Sequence, residues 1–364
     1  MKRSLKYVGL DVHQATTVTS VREESGRVIA QTVLPTDGRM LVEYFRGMRG
    51  SIHVAFEEGT QAQWLHDLLQ PVVDQVVVCD RRGTTARGNK GDQPDADALS
   101  EQLRRGALRS VYHGSGERAT LKEVARTYRN LVEDTTRVML RLKALFRERG
   151  ITTAGRSVYR ADERADWLAQ LDAAAGPGAS RGVHFRAATL YAELAVLQAL
   201  RPTARRALIV EAKRDPAWAV LRSIPFLGPI RVALLLATLQ TPWRFRTKRQ
   251  LWGYAGLAVV TRTTAEWALV DGRAVRRRRP PMTRGLNRNH NRIVKEVFKS
   301  AATAAATRSG PLQDWYQEML KRGMREELAR VTLARKLAAI TLHLWQTGAR
   351  YDPSHLMPST VPAR

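Results

Sequence analysis

Four acidic residues near the start of the chain have types and positions that could form a metal site. Asp11 interrupts an apolar, strand-like segment and Glu57 ends another, while Asp92 and Asp95 stand three residues apart, the spacing that places two side chains on one side of a helix. Burying an unpaired carboxylate costs several kcal/mol, so a cation partner is expected. Carboxylates are the ligands that Mg²⁺ or Mn²⁺ prefers, and two such ions can promote phosphodiester chemistry.

Each acid also has an ordinary structural explanation, because a strand Asp is often an edge residue and an Asp pair at a helix start is often a cap. Glu57 is preferred to Glu58 because it shares a strand face with Ala55. Asp97 is expected to point away from the other helix acids. His13 could assist proton transfer or be structural. The joint placement of the acids on one fold is therefore what favours a shared site.

The hydrophobic pattern predicts the elements that would position these acids. Three strand-like segments are followed by helix, strand, helix, strand and a closing helix, which is the order βββαβαβα. Ribonuclease-H-like nucleases have this order and carry acids on the first strand, the fourth strand and the closing helix. We therefore predict an α/β domain of this class over residues 1–115, as a fold-level analogy.

The remaining chain reads as mainly α. Residues 116–215 contain two long helical patterns, which predict a helical hairpin with a dimerising role. Residues 216–350 predict a mainly α domain with two helices about Ile224–Pro229, where the turn resembles a helix-hairpin-helix and is equally compatible with a plain turn. Residues 351–364 are expected to be a loosely held tail.

The charge balance indicates a nucleic-acid partner. The 364 residues carry a formal net charge of +26, far more than solubility requires. No apolar run approaches a membrane span, and the first residues do not resemble a signal peptide, so a cytoplasmic, nucleoid-associated protein is expected. Cys79, the single cysteine, excludes an intramolecular disulfide. The candidate phosphate-binding residues are Arg81, Arg82, Arg87, Lys90, Arg276, Arg277, Arg278, Arg279, Arg284, Arg288 and Arg292.

The motifs together resemble a known family. They are YVGLDVH at Tyr7–His13, FEEGT at Phe56–Thr60, NKGDQPDA at Asn89–Ala96, LRSIPFLGP at Leu221–Pro229, WGYAGL at Trp252–Leu257 and TRGLNR at Thr283–Arg288. Their order and spacing resemble the DEDD transposases of the insertion-sequence one-ten family over nearly the whole chain. The resemblance implies that Asp11, Glu57, Asp92 and Asp95 bind the metal ions.

The same resemblance implies a second half of the site, a nucleophilic serine shortly after the Gly256-Leu257 pair. No serine occurs there, and Thr264 aligns with it, with Thr263 as the neighbouring choice. A threonine hydroxyl can act as a nucleophile when it is activated, although these threonines also fit ordinary strand positions. The family further implies element-end and target DNA, a guide RNA, and a homodimer or homotetramer.

Two alternatives remain open. A junction-resolving nuclease would use the same acids with water as the nucleophile. A protein that only binds nucleic acid would use the positive charge alone, although the presence of all four acids argues against it.

Overall fold

The computed structural model describes residues 4–80, 92–114, 116–175, 180–262, 267–270, 273–276 and 282–353. The chain divides into two compact units, Met1–Glu117 and Arg118–Arg364. Within the described residues, no helix is both long and apolar enough to cross a membrane.

In the described part of the first unit, a five-stranded sheet packs with three α-helices. Its elements in chain order are β1 (Leu5–Val12), β2 (Thr16–Glu23), β3 (Val28–Pro35), α1 (Gly38–Arg46), β4 (Ser51–Glu57), α2 (Ala62–Leu69), β5 (Gln75–Cys79) and α3 (Asp92–Arg104). The strand order is β3-β2-β1-β4-β5. Strands β1 to β3 pair antiparallel, whereas β1 pairs with β4 and β4 with β5 in parallel. The predicted order βββαβαβα is confirmed.

Helices cover both faces of this sheet. Apolar side chains at alternate positions of β1 and β4, such as Leu10 and Phe56, pack against Leu41 of α1 and Leu65 of α2 in one buried cluster. Helix α3 packs against β1, β2 and β4, over the face that carries Gly9. The two faces differ in character because α1 and α2 cover apolar residues, whereas α3 covers small and charged ones.

A helical hairpin opens the second unit. Its two long helices are α4 (Ala119–Arg147) and α6 (Ser180–Ala212), and the shorter α5 (Arg164–Ala175) lies between them in the chain. The end of α4 and the start of α6 share one buried cluster, and the start of α4 and the end of α6 share another, so the long helices run antiparallel. The predicted hairpin is confirmed. Helix α5, which packs against α6, was not predicted.

The rest of the second unit is mainly helical, as expected, with two short β-ribbons. Its elements are α7 (Trp218–Arg222), α8 (Pro229–Leu239), α9 (Lys248–Tyr254), β6 (Val259–Arg262), β7 (Trp267–Val270), β8 (Arg273–Arg276), β9 (Met282–Leu286), α10 (Arg292–Thr307), α11 (Pro311–Lys321) and α12 (Glu326–Thr347). Strand β6 pairs with β9 and β7 with β8.

The expected loose tail is held at its first residue. Tyr351 packs against the large helical core, and its backbone N–H donates a 2.9 Å hydrogen bond to the Ser223 hydroxyl. Residues 354–364 lie outside the described part of the chain.

Candidate active site

Asp11 and Glu57 lie next to each other at the carboxyl ends of two parallel strands. The register pairs Gly9 with Ala55 and Leu10 with Phe56, so the following residues of β1 and β4 are Asp11 and Glu57. Both are two residues beyond the Gly9-Ala55 pair and therefore share its face, which is the face that α3 covers. Both carboxylates are half-buried.

A close approach between Gly9 and α3 brings the first turn of that helix to the same edge. A Cβ atom on Gly9 would overlap the Ala96 carbonyl oxygen and lie 2.6 Å from the Ser100 nitrogen. Only glycine allows the helix backbone to lie this close to the strand. From Ala96 back to Asp92 the helix rises by about 6 Å, and from Gly9 to Asp11 the strand advances by about 7 Å.

A network of charged and hydroxyl groups fixes the direction of α3 on the sheet. Arg22 of β2 donates to Asp97 at 2.6 Å and to the Ser100 hydroxyl at 3.0 Å, and it lies 3.8 Å from Glu101. The Ser20 hydroxyl donates to Asp97 at 2.8 Å. Ser20 pairs with Gly9, and Arg22 pairs with Tyr7, which is further from Asp11 along β1. Helix α3 is therefore antiparallel to β1, and its first turn lies toward the end of β1 that carries Asp11.

The candidate acids therefore lie on elements that end at one edge of the sheet. Asp95 is exposed near the start of α3, and the side chain of Asp92 lies outside the described part. Among the described side chains, no three His, Cys, Asp or Glu groups lie together as a metal cluster. The described carboxylates of Asp11, Glu57 and Asp95 still fit a hard cation by their chemistry, since they supply only oxygen donors. The sharing of one ion remains a prediction.

The residues around these acids have other partners. His13 Nε2 lies 3.2 Å from an Asp11 carboxylate oxygen. Glu58 lies 2.7 Å from Nε2 of His113, a contact that the sequence pattern did not reveal. Cys79, the β5 partner of Glu57, is buried, and burial together with the charge of Glu57 raises the pKa of its thiol to about 12. The thiol therefore stays protonated at neutral pH.

In the second unit, a turn between α9 and β6 leads toward the candidate nucleophile. Gly256 has a φ of +63°, and a Cβ there would overlap the His290 ring. The Asn287 side chain donates to the Gly253 carbonyl at 3.0 Å, and that of Asn291 donates to the Tyr254 hydroxyl at 3.1 Å. These polar residues hold this turn in place. Thr263 and Thr264 lie outside the described residues.

Arg335 of α12 supports the same turn and was not singled out from the sequence. Its Nε donates to the Leu257 carbonyl at 2.6 Å, and its own carbonyl accepts from the Trp252 indole at 2.9 Å. Burial lowers the pKa of the guanidinium, and its Nη2 is buried without a hydrogen-bond partner in the described part of the chain. The sequence gave no signal of this role, because Arg335 lies within a helical pattern like many other arginines.

The candidate phosphate-binding residues fall into two groups. Arg288 and Arg292 are exposed around the start of α10, Arg276 lies on β8 and Arg284 on β9, the last two without described side chains. The others are outside the described residues: Arg81, Arg82, Arg87, Lys90, Arg277, Arg278 and Arg279. Their binding to phosphate stays a prediction.

Comparison with known proteins gives two family matches. A DEDD transposase model of the IS110 group, described as "Transposase", matches residues 8–149. A second model, described as "Transposase IS116/IS110/IS902 family", matches residues 219–317. The first match contains the four acids and the second contains the turn that precedes Thr264. A search of curated proteins found no significant match.

Proposed function

The chain belongs to the IS110 family of DNA transposases, and on this premise we propose that it transfers DNA strands with a composite site. One half binds divalent metal ions, and the other supplies a hydroxyl nucleophile. Membership makes the protein a DNA-processing enzyme, and the DEDD group implies use of a divalent metal. The proposed residues are Asp11, Glu57, Asp92 and Asp95 for Mg²⁺ (or Mn²⁺) and Thr264 for the hydroxyl.

The observation that carries the metal half is the register of α3 on the sheet. The close approach at Gly9 and the Arg22-Asp97 contact orient α3 so that the helix begins at the edge where β1 and β4 end. In the proposed site, acids from these three elements would meet at this edge, which is the arrangement that a shared divalent ion requires. The helix start also favours negative charge close by.

The chemistry follows from these groups. When bound, the metal ions would activate a nucleophile and stabilise the leaving oxygen. The Thr264 oxygen attacks the DNA phosphorus, an ester bond forms, the bond to the sugar oxygen breaks, and the hydroxyl proton ends on that sugar oxygen. Attack by a DNA hydroxyl on the ester then rejoins the strand and restores Thr264. His13, 3.2 Å from Asp11, can hold or release a proton at this edge.

We further propose a structured guide RNA and a homodimer or homotetramer as partners. The guide rests on the family resemblance and on the net charge of +26, which suits two polyanions at once. The oligomer rests on the number of strands, because exchange between two duplexes requires that four be held together.

The absence of serine between Gly256 and Trp267 favours one competing function. In a junction-resolving nuclease, water would replace Thr264, and the acids alone would cut DNA. The two functions differ in their products, because only a side-chain nucleophile leaves protein joined to DNA.

Detection of a covalent adduct tests the proposal. Purified protein with its co-purifying RNA is incubated with element-end DNA and Mg²⁺, and adducts are resolved on a denaturing gel. We expect an adduct from the wild type and from Thr264→Ser, and none from Thr264→Val.

Thr263→Val is the matched control and should retain the adduct. An adduct with Thr264→Val but not with Thr263→Val would identify Thr263 as the nucleophile. Free cut ends without an adduct would support the nuclease, and no cutting would support a protein that only binds. Sequencing of the co-purified RNA tests the guide.

A further inference from the structure

A groove in the second unit has arginines without carboxylate partners. A cavity of about 750 Å³ lies among α4, α6, α8 and α10, with Arg201, Arg205 and Arg231 in its wall. An adjoining cavity of about 660 Å³ shares Tyr128 and Arg201 with it, so the two form one continuous groove. We call the part around the three arginines the arginine groove.

The two ends of the groove differ in how their charges are compensated. At the far end, Arg129 lies 2.6 Å from Glu133 and 3.6 Å from Glu296, and Arg137 lies 2.8 Å from Asp134. Among the described residues, Arg201 and Arg205 make no hydrogen bond or ion pair. They stand four apart on α6, where like charges repel each other. Glu296 also lines the cavity of the arginine groove, but its ion pair is with Arg129. The groove therefore has three arginines against one carboxylate and keeps an excess of positive charge.

Arg231 adds a half-buried charge to the same wall. Its guanidinium donates to the Ser300 hydroxyl at 3.0 Å and to the Phe226 carbonyl at 2.9 Å. These neutral partners orient it without cancelling its charge. Burial and the nearby charge of Arg308 lower the pKa of this guanidinium, so a bound anion would stabilise its charged form.

The start of α8 supplies further donors to the groove. The helix has no side-chain cap, and Pro229 occupies its first turn. The first hydrogen bond of the helix backbone runs from the Val232 N–H to the Gly228 carbonyl. The preceding N–H groups, those of Ile230 and Arg231, therefore have no helical acceptor. Gly228, Pro229 and Ile230 all line the cavity.

We propose that the arginine groove binds the phosphodiester backbone of a nucleic-acid strand. Guanidinium groups form paired hydrogen bonds with phosphate oxygens, and a free helix start favours the same anion. None of the residues that line the groove belongs to Arg276–Arg292, the basic segment already suggested for DNA. The proposal rests on the nucleic-acid-processing function above and deepens it by naming a second contact for the strand.

Salt-dependent binding tests the groove. Affinities of the full chain for a 20-base-pair DNA duplex, a single DNA strand and an RNA hairpin are measured by fluorescence anisotropy from low to moderate salt. The slope of log K against log salt is negative, and each lost duplex phosphate contact should reduce its magnitude by about 0.9. We expect the Arg201→Ala with Arg205→Ala double variant to reduce the magnitude of that slope by about 1 to 2 for at least one probe. The affected probe identifies the type of nucleic acid that the groove binds.

The control pair is Arg126→Ala with Arg322→Ala, which removes the same charge from exposed arginines that already pair with Glu123 and Glu318. It should leave the slope unchanged. Replacement of Arg201 and Arg205 by lysine should keep the slope but weaken binding, because the charge remains while the paired donors are lost. Equal slopes for the alanine and control pairs, with unchanged melting curves, would overturn the proposal.

The groove and the composite site can fail separately. Asp11→Asn should abolish the covalent adduct yet keep the wild-type salt slope. If the Arg201→Ala with Arg205→Ala pair has a smaller salt slope but still forms the adduct on saturating DNA, the groove is supported. If that pair keeps the wild-type slope while Asp11→Asn loses the adduct, the groove is rejected and the composite site is retained.

Discussion

The interface between α3 and the sheet and the arginine groove use arginine in opposite ways. At the interface, Arg22 is largely buried and donates to Asp97, Ser100 and the Gly26 carbonyl. In the groove, Arg201 and Arg205 are exposed and have no partner among the described residues. A satisfied charge fixes the position of an element, whereas an uncompensated charge repels its neighbours and favours an anion from outside. The pairing state of an arginine thus separates a structural role from a binding role.

The largest expected effect comes from the proposed metal-binding acids at the sheet edge where α3 begins. Asp11→Asn keeps the side-chain size but removes the charge that would hold a cation. We expect DNA cleavage to fall by at least about 100-fold, since metal stabilisation contributes several kcal/mol. The gel assay measures this effect, and chelation of divalent ions should have the same result in the wild type. Unimpaired cleavage by Asp11→Asn would reject the metal half.

Gly9→Ala would break the interface itself. The new methyl group would overlap the Ala96 carbonyl, so α3 must shift away from the edge or the fold must strain. We expect a loss of about 1–3 kcal/mol in the free energy of unfolding, together with a loss of cleavage. Urea unfolding measures the first. Gly47→Ala, where a Cβ would meet only ordinary contacts of 3.5 Å, is the control and should be tolerated.

Asp95 and Asp97 allow the sharpest comparison on one helix. Asp97→Ala removes the acceptor of Arg22 Nη2 and of the Ser20 hydroxyl, so we expect the free energy of unfolding to fall by about 1–3 kcal/mol. Asp95 is exposed, so Asp95→Ala should change stability by less than about 0.5 kcal/mol and should reduce cleavage. Chemical denaturation and the gel assay measure both variants. A stability loss at Asp95 with none at Asp97 would contradict the assigned roles.

The smallest effect concerns Cys79. Its ordinary thiol pKa of 9.0 is raised to about 12 in the folded chain, so the folded state keeps its proton longer than the unfolded state. Stability from this group is therefore present below about pH 9 and is lost as pH rises toward 12. We expect no reaction with a thiol reagent at pH 8 until the chain unfolds. Fast labelling of the folded protein would show that the thiol is accessible.

Patterns of local periodicity predicted much of the fold. The alternation in β1 and β4 and the apolar spacing of α4 and α6 require only neighbours along the chain, and these elements were predicted. The ribbons β7-β8 and β6-β9 were mostly missed, because their strands are very short and show no clear alternation. Helix α5 was missed because its apolar residues do not gather on one helical face.

For the candidate site, the sequence alone determined the residue types, their order and the excess of positive charge. It did not reveal that Asn287 and His290 hold the turn at Gly256, or that Arg22 binds α3. Only the tertiary structure decided that α3 begins at the edge that carries Asp11 and Glu57, and that Asp97 is bound to Arg22 while Asp95 is exposed. The physical reason is that periodicity assigns a side chain to a face, whereas the partner of that face depends on contacts between residues far apart in the chain.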